Sequence, residues 1–231
     1  MVSANARQSV PTRALLLRSA FDEIHRSGFR GADVETILQT TGLSKGALYH
    51  HFDGKDALGH AVVDEVIAGI MRERWLAPLR DAENPIDALV AIVRSTPHRP
   101  EQVRRGCPLN NISQEMSPLD EGFRKRTARI FADWRDGIAS ALRRGQSGGT
   151  VRQDVDPGEA TAFVIATYEG YLSLAKNSQD PKQLMAGMNV LARYFDSLRP
   201  PQTKSPRRRA SASGRRPGRR ATFADHRRQT T

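Results

Sequence analysis

Apolar residues recur every three or four positions along most of the chain, which is the spacing of one face of an α-helix. The runs with this spacing cover residues 12–27, 55–76, about 118–144, 157–176 and a last segment that ends near 198. No stretch alternates between apolar and polar residues with period two, as a half-buried strand would. The pattern therefore predicts an all-α protein.

Four tetrapeptides mark helix starts independently of the apolar spacing. Each has a capping side chain first, proline second, and Asp or Gln or Glu fourth. Proline fits the first helical position because the N–H there has no partner within the helix. The tetrapeptides are NPID (84–87), SPLD (117–120), DPGE (156–159) and DPKQ (180–183). They predict four helices that begin at these prolines.

The segment 33–58 predicts two short helices joined by a tight turn. Asp33 can cap the first helix, Gly42 can adopt the left-handed conformation that ends it, and Ser44 can cap the second. This arrangement is a helix-turn-helix, whose second helix enters the major groove of DNA. The residues that this helix and its surroundings would offer to DNA are Ser44, Lys45, Gly46, Ala47, Tyr49, His50 and Lys55.

The two adjacent histidines also raise the possibility of a metal site. Consecutive residues on a helix point about 100° apart, so His50 and His51 are poorly placed to share one ion. The chain has no phosphate-binding glycine loop and no Gly-x-Ser-x-Gly nucleophile motif. We therefore expect no metal, no cofactor and no catalytic residues, and not an enzyme.

The net charge of +11 is concentrated at one end of the chain. Residues 199–231 contain 11 Lys or Arg and one acid, whereas residues 1–198 carry a net charge of only +1. This basic segment has a single aromatic residue, so it is expected to be a disordered tail. It allows an alternative function, a general or architectural nucleic-acid-binding protein that acts through the tail. The predicted organisation is a helix-turn-helix domain over residues 1–55, a larger helical domain over 56–198 and the disordered basic tail over 199–231.

The single cysteine and the absence of long apolar runs bear on the compartment. One cysteine excludes an intramolecular disulfide, and neither a signal peptide nor an apolar stretch of about 18 residues is present. A soluble, cytoplasmic protein with no membrane partner is expected.

The segment GFRGADVETILQTTGLSKGALYHHFDGKDAL (28–58) resembles the DNA-binding signature of the tetracycline-repressor (TetR) family of bacterial transcription regulators. The resemblance covers about 12–60 and implies double-stranded DNA as a partner. Two positions depart from the family pattern. Asp33 stands where the family usually has a Thr or Ser that touches a phosphate, and Gly54 replaces a Ser or Pro before Lys55.

The same resemblance implies a larger C-terminal helical domain that dimerises and binds a small-molecule effector. It further implies a repressor that is released from a palindromic operator when this effector binds. Residues 151–198 are similar to the last two helices of the family, which form a four-helix bundle across a two-fold axis. The homodimer interface would include Gly170, Leu174, Leu191, Tyr194 and Phe195. The candidate effector pocket comprises Ile112, Met116, Phe131, Trp134, Phe163 and Tyr168, and an apolar or weakly polar effector is expected. Packing in an ordinary core is the alternative for each of these residues.

Cys107 lies in RRGCPLNNISQEM (104–116), near a predicted helix start. Arg104 and Arg105 could lower the pKa of its thiol and make it a redox sensor, as a similar segment is in a few family members. The alternative is a buried, inert cysteine that fills a gap.

Overall fold

The computed structural model describes residues 11–201, which form α-helices joined by turns, with no strand in that range. The helices are α1 Thr12–Ser27, α2 Val34–Thr41, α3 Lys45–His51, α4 (residues 55–80), α5 Pro85–Arg94, α6 Pro100–Arg105, α7 Pro108–Met116, α8 Glu121–Ser147, α9 Pro157–Ser178 and α10 Pro181–Ser197. The all-α prediction is confirmed. The prediction of a disordered tail falls, from residue 202 onward, outside the described residues.

Helix α4 is one continuous rod with two widened turns. Its segments are Lys55–Ala61, Val62–Ile67, Ala68–Met71, Arg72–Leu76 and Ala77–Arg80, and the second and fourth have π-helical hydrogen bonding. Such π segments are local widenings of an α-helix that often accompany function. The helix leads directly from the helix-turn-helix into the rest of the protein.

Three of the four predicted helix starts are confirmed. The side chains of Asn84, Asp156 and Asp180 each accept a hydrogen bond from a backbone N–H of the following turn. The fourth prediction, a helix starting after Ser117, is wrong. Asp120 is the cap of α8, because its carboxylate accepts a hydrogen bond from the N–H of Phe123 at 2.8 Å.

One hydrophobic core extends through residues 11–200, which pack as one unit. The core runs from α1 at one end to α8, α9 and α10 at the other, and its largest members are Trp75, Trp134, Phe123 and Phe195. The division into domains at residue 55 stays a prediction. Over residues 11–201, no helix combines the length and the apolar character needed to cross a membrane.

Candidate functional site

The turn between α2 and α3 has the local structure that the sequence predicted. Asp33 caps α2 by accepting hydrogen bonds from the N–H groups of Glu35 and Thr36 at 3.2 and 3.1 Å. Gly42 ends α2 with φ of 68°, a conformation in which a Cβ atom would be strained. Ser44 caps α3, its hydroxyl oxygen accepting a hydrogen bond from the N–H of Ala47 at 3.2 Å. Residues 34–51 therefore form a helix-turn-helix.

Helix α3 is held by one buried side chain and presents the rest to solvent. Leu48 is buried in the core and Phe52, directly after the helix, is buried as well. The outward side consists of Lys45, Gly46, Tyr49 and His50, all of which are exposed. Tyr49 is the largest of them and is 59% exposed, which is unusual for an aromatic ring without a partner.

Lys45 has an acidic partner that the sequence analysis missed. Its ammonium lies 3.1 Å from a carboxylate oxygen of Glu35 on α2, and both side chains are largely exposed. The hydrogen bond to Glu35 raises the pKa of Lys45. The pair joins the start of α3 to the first turn of α2. An anion that binds the ammonium of Lys45 has to compete with the carboxylate of Glu35.

Lys55 supports the backbone of the preceding turn. Its ammonium donates a hydrogen bond to the carbonyl oxygen of Arg30 at 3.1 Å and lies 5.1 Å from the ring centre of Phe29. The cation thus ties the start of α4 to the segment between α1 and α2. A phosphate contact by Lys55 would add to this role.

The two departures from the family pattern have local structural reasons. The carboxylate of Asp33 caps α2, and the hydrogen bonds that it accepts from the backbone of Thr36 and Glu35 lower its pKa. Gly54 precedes α4 with φ of 110°, which only glycine adopts without strain. A serine or proline there would require a different backbone path.

The centre of the helical body is an aromatic cluster. Trp75 of α4 lies against Trp134 of α8 and Tyr168 of α9, with ring centres 4.8 and 4.9 Å away. Trp134 and Tyr168 are predicted pocket residues, and so are the buried Ile112 and Met116 on α7. Trp75 was missed because its helix was interpreted only as a core stripe.

Two of the predicted pocket residues lie elsewhere. Phe131 is half-buried and stacks on Trp134 from the outside of the cluster, with ring centres 6.2 Å apart. Phe163 is 47% exposed and packs on Tyr194, so its assignment to an interior pocket is wrong. The reason is its position on the face of α9 opposite the core.

Several buried polar atoms in the body have no hydrogen-bond partner among the described residues. They are the indole Nε1 atoms of Trp75 and Trp134 and both carboxylate oxygens of Glu169. Burial raises the pKa of Glu169 to about 7, and the neighbouring thiol of Cys107, a weak donor, acts on this pKa in the opposite direction. Nearby, the guanidinium of Arg74 donates hydrogen bonds to Tyr168 and Thr96. Unpaired buried polar groups are costly, so those in a native structure call for an explanation.

Cys107 is buried in this region, at the start of α7. Burial first, and the neighbouring Glu169 second, raise the pKa of its thiol well above the ordinary value. The hypothesis that Arg104 and Arg105 lower this pKa is wrong, because both arginine side chains are exposed to solvent while the thiol is desolvated. The thiol stays protonated at neutral pH.

The outer face of α9 and α10 is apolar and exposed. Leu174 is 54% exposed, and a Cβ atom on Gly170 would meet nothing within 4 Å. Tyr194 is half-buried against Phe163 of α9, with ring centres 4.6 Å apart. Leu191 and Phe195 point the other way and are completely buried in the core. Their predicted place in a dimer interface is wrong, because they have no surface left to offer.

A helix-turn-helix with an exposed, partly cationic second helix, followed by a larger helical body, defines a DNA-binding protein. Residues 16–62 match the family described as "Bacterial regulatory proteins, tetR family", and residues 82–191 match "Tetracyclin repressor-like, C-terminal domain".

Similar proteins extend over most of the chain. The HTH-type transcriptional regulator UidR of Escherichia coli is 33% identical over 72% of this chain and 82% of its own length. The HTH-type transcriptional repressor DhaR of a Mycobacterium species is 26% identical over 82% of this chain and 93% of its own length. A TetR transcriptional regulator from Chloroflexus aurantiacus has 30% identity and a TM-score of 0.72, over 81% of this chain and 96% of its own. The chain belongs to the TetR family of bacterial transcriptional regulators.

Proposed function

We propose that the protein is a homodimeric repressor that binds a palindromic DNA operator through α3 and leaves it when a small molecule binds the helical body. Membership of the TetR family supports DNA binding and transcriptional regulation. We assign the DNA-binding surface to the exposed face of α3, where Tyr49 lies in solvent beside Lys45 and Gly46.

The residues of α3 divide by the contacts they can make. Lys45 can donate to a guanine edge or a phosphate, and Gly46 and Ala47 let the helix backbone come close to the floor of the groove. Tyr49 and His50 offer donors to phosphate oxygens, which fix the position of the helix along the duplex. Ser44 lies at the N-terminus of α3, where the helix dipole also favours an anion.

A homodimer is supported by the outer face of α9 and α10. Phe163 and Leu174 are each about half exposed, which places two large apolar side chains on one side of α9. Gly170 leaves room for the close approach of another helix. A second copy packed on this face would bury these residues in a four-helix bundle and present two copies of α3 to a two-fold symmetric operator.

An effector site in the body is supported by the aromatic cluster. The unpaired indole N–H groups of Trp75 and Trp134 need acceptors, and the carboxyl of Glu169, which has only the weak Cys107 donor beside it, can accept further hydrogen bonds. A ligand that carries both kinds of group would satisfy them. The sequence predicted an apolar or weakly polar effector, and these buried polar atoms favour the more polar end of that range.

The test is selection of bound sequences from a random DNA pool with the purified full-length protein. The wild type should enrich one palindrome. Lys45→Ala should weaken binding by about 10-fold or more if it contacts a base, and should relax one position of the half-site. Tyr49→Phe should weaken binding without changing the selected sequence, because a lost phosphate contact carries no base information.

Two controls separate the proposal from its rivals. Lys182→Ala removes an exposed cation of α10 and should leave both affinity and sequence unchanged. Deletion of residues 202–231 should keep the palindrome, whereas a protein that acts through its basic tail would lose binding. Failure of the wild type to enrich any palindrome would refute the operator proposal.

A further inference from the structure

A cleft of about 840 Å³ lies between the last turns of α1 and the helices α7 and α9, outside the aromatic cluster. Its apolar wall is formed by Phe21 and Ile24 of α1, Ile67 of α4 and Ile112 of α7. Its polar wall includes Asn110, Ser173 and Lys176. We call it the joint cleft, because it lies where the helix-turn-helix meets the helical body. Its volume is within the range of small-molecule sites.

Lys176 is a cation of the cleft that forms no ion pair with a described carboxylate. Its ammonium donates one hydrogen bond, to Oδ1 of Asn111 at 3.0 Å, and no acid lies within ion-pair distance among residues 11–201. The stem of Lys176 passes over Gly106, where an added Cβ would be 3.0 Å from the lysine Cδ. The stem is thus held in place while two of the three ammonium hydrogens remain unused.

The other charged side chains of the cleft are already paired. Arg26 forms an ion pair with Glu23. The carboxylate of Glu115 accepts hydrogen bonds from the backbone N–H groups of Phe29 and Arg30, both at 2.8 Å. Lys176 is therefore the cation that remains available to a ligand. Glu115, one turn of α7 beyond Asn111, would repel an anion that lay close to it.

His25 adds no charge at neutral pH. Its Nε2 lies 3.0 Å from the carbonyl oxygen of Gly106, and its pKa is lowered, chiefly by burial. The positive neighbours Arg105 and Lys176 contribute to the same shift. The ring is therefore neutral, with Nε2–H donating to the carbonyl.

Further unused donors lie beside Lys176. Nδ2 of Asn110 donates to Oγ of Ser173 at 3.2 Å, which leaves the second amide hydrogen and the serine hydroxyl hydrogen free. With the two ammonium hydrogens, these donors form an excess on one wall of the cleft. A group with two acceptor oxygens and a negative charge satisfies them best.

We propose that the joint cleft binds a small organic monocarboxylate. Its carboxylate accepts hydrogen bonds from Lys176, Asn110 and Ser173, and its hydrocarbon part packs on the half-buried ring of Phe21 and the edge of Ile24. This site lies apart from the aromatic cluster and would give the regulator a second chemical input.

The position of the cleft links this ligand to α3, the helix proposed to bind DNA. The Glu115 and His25 hydrogen bonds tie the end of α1 to α6 and α7. A molecule wedged between α1 and α9 changes the spacing across this joint. The effect on DNA binding rests on the proposed repressor function, whereas carboxylate binding itself does not.

The test compares hexanoate with its neutral analogue hexanamide and its cationic analogue hexylamine by titration calorimetry on the full-length protein. Acetate and benzoate extend the comparison to smaller and flatter bodies. Hexanoate should bind, and hexanamide should bind about 10-fold more weakly or worse, because a charge-assisted hydrogen bond is lost. Hexylamine should not bind.

Lys176→Gln should weaken hexanoate binding by about 10-fold or more, and Lys182→Gln on the exposed side of α10 should not change it. Asn110→Asp, which places a negative charge beside Lys176, should also abolish binding and covers the case in which the first variant does not fold. Circular dichroism establishes that each variant is folded.

The proposal is overturned if no carboxylate binds the wild type at millimolar concentration, if hexanamide binds as tightly as hexanoate, or if folded Lys176→Gln retains wild-type affinity. DNA selection without carboxylate should give the same palindrome for wild type and Lys176→Gln. If the wild type selects no palindrome, the repressor proposal fails, while the calorimetric result still decides the site.

Discussion

Replacing Glu169 by glutamine should remove a large part of the pH dependence of folding. Glu169 is 7% exposed, and the thiol of Cys107, a weak donor, is the one described side chain that acts on its carboxyl. Burial raises its pKa from 4.5 to about 7 on folding. An acid with a raised pKa binds its proton more tightly in the folded state, so its stabilising effect is complete below pH 4.5 and is lost as the pH rises through 7.

The magnitude follows from the two pKa values. Each unit of difference between the folded and unfolded pKa corresponds to about 1.4 kcal/mol, so deprotonation of Glu169 costs the folded state about 3 kcal/mol by pH 8. Glutamine has nearly the same shape and no charge to bury. The free energy of unfolding of Glu169→Gln should therefore exceed that of the wild type by about 1 kcal/mol at pH 5 and by about 3 kcal/mol at pH 8.

The assay is urea unfolding followed by far-ultraviolet circular dichroism at both pH values. Glu159→Gln, an exposed acid on the same helix, is the control and should show little difference at either pH. The difference between the Glu169 variant and the wild type cancels the contributions of other titrating groups. If that difference is the same at pH 5 and pH 8, the carboxyl is not buried as a titrating group and the reasoning is refuted.

Three further outcomes are expected. Glu35→Gln should tighten operator binding a few-fold in gel-shift titrations, because it frees the ammonium on α3, and an unchanged affinity would mean that the ion pair persists on DNA. Leu191→Ala should lower the free energy of unfolding by about 2–5 kcal/mol, because it leaves a cavity in the core. Leu174→Ala should change the free energy of unfolding by about 0.5 kcal/mol or less, but it should weaken the dimer, as measured by sedimentation. Glu115→Ala should destabilise the protein by about 2 kcal/mol and speed amide exchange of the two N–H groups after α1, and protected amides would contradict the contact.

Local features of the sequence were sufficient to predict most of the helix starts and the helix-turn-helix. Asp33, Gly42 and Ser44 act within one turn of themselves, through side-chain caps and a left-handed glycine, so their structural effect can be derived without the rest of the fold. The one wrong helix start, at Ser117, arose because two capping residues lie three positions apart and either could serve. The better geometry of Asp120 was decided by the turn that ends α7.

Only the tertiary structure decided which side of α9 faces inward and which charged groups of different helices meet. Helix α9 has apolar residues on two faces, so its pattern could not assign Phe163 to the outside or Glu169 to the core. The pairing of Lys45 with Glu35, the desolvation of Cys107 beside Glu169 and the hydrogen bond from Lys176 to Asn111 each depend on groups from different helices. Their chemistry depends on distances and desolvation, which periodicity along a single helix does not contain.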